Sequence, residues 1–76
     1  MSERAPRITG RDLARVLLRA GWVEVPWTGS HMHLRRPDGT GRVTIPVHAG
    51  ETLHPKTLAS ILDQAGLNNA ELRALL

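Results

Sequence analysis

The sequence predicts an α+β fold in the order α-β-β-β-α: a three-stranded antiparallel sheet, two helices on one face and a short C-terminal helix. Three observations lead there. Apolar residues recur at helical spacing towards both ends of the chain, the middle alternates at strand spacing, and turn-forming residues separate the segments. At 76 residues the chain has room for one domain, 1–76. A chain of this size buries only about 60% of its unfolded surface, so a shallow site with one or two catalytic groups is the ceiling.

Residues 1–7 are polar, contain Pro6, and are expected to be flexible. Thr9 followed by Asp12 is a helix-capping signal, with the acid near the positive end of the helix dipole. Leu13, Val16, Leu17 and Ala20 continue at helical spacing and Gly21 stops the run, which predicts a helix over about 9–20. Trp22 is expected to pack back onto Leu18. Trp22 to Trp27 predicts a strand with Val23, Val25 and Trp27 on one face, so that Trp27 belongs to the core by parity. Thr28-Gly29-Ser30 is a turn. His31 to Arg36 predicts the second strand, with Met32 and Leu34 inward and His31, His33 and Arg35 outward; Arg36 points the other way.

Pro37-Asp38-Gly39-Thr40-Gly41 is a hairpin turn. Arg42 to Val47 predicts a third strand with Val43 and Ile45 inward and Pro46 at its end or on an edge. Pro55 suits the first position of the next helix, whose stripe is Leu58, Ile61, Leu62 and Ala65 and whose stop is Gly66. Asn68 with Glu71 caps a last short helix carrying Leu72, Leu75 and Leu76. The second sheet face is left open to solvent or a partner.

Ten Lys+Arg against seven Asp+Glu give a net charge of +3, an imbalance that favours polyanionic partners. Nine of the ten basic residues are Arg, which GC-rich coding would also produce. The absence of cysteine excludes disulfides and thiolate zinc sites and fits a cytoplasmic location. No apolar run reaches the roughly 20 residues of a membrane span, and no membrane association is expected.

The residue most suggestive of chemistry is His31, which Gly29-Ser30 places at the start of a strand. An imidazole with an ordinary pKa of about 6.5 gives or takes a proton near neutrality. On a basic surface that points to RNA, whose 2'-hydroxyl is an internal nucleophile awaiting deprotonation. His33 shares that face and reads as a substrate contact or plain surface. The turn amides around Gly29 and Ser30 either hold a phosphate oxygen or serve the turn alone. Arg35 is placed to neutralise phosphate. Arg7, Arg11, Arg15 and Arg19 recur every four residues as a basic stripe, read either as a phosphate dock or as a solvated helix face. Trp27 is an alternative base-stacking residue. His48 and His54 do not complete a zinc set with His31 and His33, so no metal and no cofactor are expected.

Ala20-Gly21-Trp22, Gly29-Ser30-His31, Val43-Thr44-Ile45-Pro46-Val47-His48 and the run from Thr57 to Leu67 together resemble the HicA (YcfA-like) family of mRNA interferase toxins, over roughly residues 9 to 76. The resemblance implies a double-stranded-RNA-binding-domain-like fold and the toxin of a type II toxin–antitoxin system. It implies metal-independent endoribonuclease activity on mRNA with His31 as the catalytic residue. It also implies a HicB-like antitoxin partner, through which alone DNA would be contacted. The chain departs from the family in carrying Pro26, Trp27 and Thr28 where members often have basic residues. It has His54-Pro55-Lys56 where they often have Lys-Lys-Gly, with Lys56 restoring part of the phosphate grip. Two other readings remain at this level: a non-catalytic RNA-binding module of the same fold, and a protein-interaction module that recruits its partner along a sheet edge.

Overall fold

The computed structural model describes residues 5–76. Of the expected flexible segment, residues 1–4 lie outside the described residues, and Ala5 packs partly buried against the core. The elements are α1 (Gly10–Arg19), β1 (Val23–Thr28), β2 (His31–Arg35), β3 (Arg42–Pro46), α2 (Pro55–Ala65) and α3 (Asn69–Leu75). The sheet is antiparallel in the order β1-β2-β3. This is the α-β-β-β-α arrangement of a double-stranded-RNA-binding-domain-like fold.

Each helix begins where the sequence caps it. Thr9 Oγ1 accepts from the Asp12 N–H at 3.1 Å. Asn68 and Glu71 form a reciprocal capping box at 2.8 and 3.0 Å. Pro55 opens α2, and the cap before it is His54, whose Nδ1 accepts from the Lys56 N–H at 3.1 Å. Gly66, with φ of 73°, ends α2 in the left-handed conformation that glycine adopts without steric cost.

Alternation buries Met32, Leu34, Val43 and Ile45 beneath the helices, where Leu13, Val16 and Leu17 of α1 and Leu58, Ile61 and Leu62 of α2 meet them. Leu72 of α3 closes the cluster fully buried. Arg36 turns to the helix side, as its parity requires. It donates to the Ala65 carbonyl at 3.0 Å and lies 4.8 Å over the Trp22 ring, joining the end of β2 to the C-terminus of α2. In the β2–β3 turn, the Thr40 hydroxyl and then its N–H donate to Asp38, and these bonds hold the Asp38 carboxyl below its ordinary pKa.

β1 departs from the expected strand. Val25 pairs with His33 but Thr28 with His31, so the stretch between holds one extra residue. Pro26, lacking an N–H for the ladder, sits in this bulge. Val23 and Val25 therefore lie opposite Arg35 and His33 on the helix-free face. Trp27 passes to the side of Glu24, and its indole N–H donates to the Glu24 carboxylate at 2.7 Å. The expected core position of Trp27 is thus overturned: it is 43% exposed. Val23 and Val25 share the helix-free face instead of the core face, and the inserted residue turns Trp27 away from them to the helix side of this edge strand, where it stays largely open.

Candidate nucleic-acid interface and active site

His31 owes its position to the hairpin before it. Thr28 and His31 pair across a two-residue loop in which Gly29 has φ of 58°, the conformation a type II′ turn needs at its first central position. The Ser30 carbonyl accepts from the Val47 N–H at 2.9 Å, tying the turn to the end of β3. His31 leaves this turn on the helix-free face, opposite Pro46, and is exposed. Among the described residues its ring makes no hydrogen bond, so both nitrogens are open to a substrate.

His33, two residues along the same face, is in a different state. Its Nδ1 is 3.0 Å from Thr44 Oγ1 and its Nε2 is 3.0 Å from Thr28 Oγ1, so one ring links all three strands. A hydroxyl both gives and accepts, so the pair of threonines satisfies either neutral tautomer. Sequence reasoning missed Thr28 and Thr44; cross-strand register, which a single strand does not display, is what brings them to the ring. The arrangement makes His33 a brace for Thr28, the residue paired with His31. His33→Ala is expected to lower the melting temperature by roughly 4–8 °C, the equivalent of about 1 kcal/mol. An unchanged thermal scan would show that the two bonds carry no stability.

The remaining basic residues divide by location. Arg35 lies on the face of His31 and His33, towards the far end of β2, across from Arg42, and donates to the Arg36 carbonyl. Arg11 is at the start of α1, whose Gly10 abuts the carbonyl of Pro46, the residue paired with His31. Lys56 is in the first turn of α2, next to a cleft lined by Pro46, His48, Glu51, Thr52, Leu53, His54 and Thr57. Both long helices thus start at the end of the sheet that holds His31, and their dipoles favour anions there. Arg15 and Arg19 run away from that end. Arg15 pairs with Asp12 at 3.2 Å, and Arg19 donates to the Leu75 carbonyl at 3.2 Å. The expected stripe is therefore interrupted by internal bonds, with Arg11 making none among the described residues.

Among the described residues no group of three or more His, Asp or Glu is placed to hold a metal ion. No helix among them is long and apolar enough to cross a membrane. A family model described as the HicA toxin of bacterial toxin–antitoxin systems matches residues 10–67. The chain belongs to the HicA toxin family. The match runs from the first residue of α1 to just beyond the end of α2, so it takes in the whole sheet and the Gly29-Ser30-His31 turn. As a HicA toxin the chain is one half of a toxin–antitoxin system and has an antitoxin as its counterpart. No curated protein matches it.

Proposed function

We propose that this HicA-family chain is an mRNA interferase: a metal-independent endoribonuclease in which His31 is the catalytic residue. The observation that carries the reading is the pairing of an exposed, unbonded imidazole with an end of the fold where two helix N-termini, Arg11 and Lys56 favour a phosphate. His31 acts as general base on the 2'-hydroxyl or as general acid on the departing oxygen. The 2'-oxygen forms a bond to phosphorus, the bond from phosphorus to the 5'-oxygen breaks, and that oxygen takes up a proton. The products are a 2',3'-cyclic phosphate and a 5'-hydroxyl, with no metal needed at any point.

Gly29 and Ser30 set the turn and offer backbone amides to the phosphate, His33 braces Thr28, and Arg35 extends the cationic path along the open face. Arg15 and Arg19 contribute to long-range attraction, at reduced strength because each is already engaged. The counterpart is a HicB-like antitoxin that covers the open sheet face and the histidine. Contact with DNA, where it occurs, belongs to that antitoxin, and the cytoplasm is the site of action.

Purified protein incubated with single-stranded RNA in EDTA is expected to release fragments ending in cyclic phosphate. Binding without cleavage would instead select a non-catalytic RNA-binding module. Uncleaved RNA that also fails to bind at low salt would remove both readings.

A further inference from the structure

The bulge in β1 creates a feature that the catalytic reading does not use. Trp27 and one side of α1, from Arg11 to Leu18, flank a groove of about 300 Å³, at the small end of the volumes that hold a ligand. Leu18, Met32 and Val47 form its apolar floor, and Arg11, Arg15 and Trp27 stand around it. The indole is exposed yet oriented, because Glu24 accepts its N–H at 2.7 Å. An exposed aromatic held in one orientation loses little freedom when something stacks on it.

We propose that this groove is a nucleobase subsite, in which one base of single-stranded RNA stacks on Trp27 while Arg11 contacts the neighbouring phosphate. The proposal rests on the ribonuclease reading for its choice of RNA, and deepens it by naming a second point of contact. Three observations favour a base over a protein side chain. The groove is small, planar on its Trp27 wall and apolar beneath, which fits a single ring system. Arg11 is at its edge without a partner among the described residues, whereas Glu24 is engaged by the indole and Asp12, beside Arg11, is paired with Arg15. Trp27 also immediately precedes Thr28, which pairs with His31, so a strand of RNA leaving the groove around the Gly29-Ser30 turn arrives at the histidine. Stacking is indifferent to base identity, so the subsite positions RNA without dictating its sequence.

The test uses the full chain with His31→Ala, so that RNA is bound and not consumed. The probes are a short single-stranded RNA and a matched oligonucleotide with abasic positions. Trp27→Ala is expected to weaken RNA binding about 10-fold or more, Trp27→Phe to restore most of it, and the abasic probe to bind Trp27→Ala and its parent alike. Because the indole is exposed, Trp27→Ala folds, which circular dichroism checks. Equal RNA affinity with and without Trp27 would overturn the proposal and leave the ribonuclease reading intact. Equal RNA affinity together with lost antitoxin affinity would likewise overturn it and assign the groove to the protein partner. A Trp27-dependent affinity in a protein whose native His31 form cuts nothing would support the subsite and sink the catalytic reading instead.

Discussion

Replacing His31 with alanine is expected to slow RNA cleavage by about 10²–10⁴-fold, the usual contribution of one positioned general acid or base, and to leave the fold unchanged. The two halves of that expectation have one structural origin. His31 is exposed at the first position of β2, opposite Pro46, and its ring has no hydrogen bond among the described residues. Its removal therefore strands no buried donor or acceptor, and surface substitutions of that kind stay within about 0.5 kcal/mol. Contrast His33, whose ring bonds to Thr28 and Thr44 and whose loss is read in stability. Cleavage rates of native and His31→Ala protein, matched for folded fraction and measured in EDTA with a thermal scan alongside, check both halves. Equal rates would take the catalytic role away from His31. A fall in rate matched by a fall in melting temperature would make it structural.

The histidine and its turn were legible because their cause is local. Gly29 supplies a positive φ, Ser30 completes a two-residue loop, and the next residue must begin a strand. The same holds for the helix ends at Thr9, Pro55, Gly66 and the Asn68–Glu71 box, each fixed by residues within one turn of the others. What stayed hidden depends on partners distant in the chain. The face on which Trp27 emerges is decided by how β1 registers against β2. Pro26 was the available signal, since a proline inside a strand marks an edge or a bulge. The Arg36 bridge to Ala65 and the Arg19 bond to Leu75 span 29 and 56 residues and have no local signature. His54 as a cap was obscured by residue type, because capping preferences favour Ser, Thr, Asp and Asn.

Gly10→Ala is expected to destabilise the protein, although alanine is the better helix former. In an open helical position the exchange gains about 1 kcal/mol. Gly10, however, is the first residue of α1 and is buried, and a Cβ there would overlap the Pro46 carbonyl oxygen and come within 3.2 Å of Ile45 Cγ2. Overpacking costs about 1–3 kcal/mol and occasionally more, and the upper end applies because a backbone carbonyl in a strand cannot rotate aside as a side chain would. The net loss is about 2 kcal/mol, which in a domain of this size lowers the melting temperature by roughly 8–16 °C. The same contact reaches the proposed active site, since Pro46 pairs with His31 and Val47 bonds the Ser30 carbonyl. Relief of the overlap by moving the end of β3 therefore displaces the turn that aims the imidazole. Cleavage by the folded fraction of Gly10→Ala is accordingly expected to fall as well, measured well below its melting temperature. A variant at least as stable as the native chain would mean that helix propensity outweighs the contact and that α1 approaches β3 loosely. A destabilised variant with full activity per folded molecule would mean that the strain is absorbed in α1, leaving the His31 turn independent of how the helix docks.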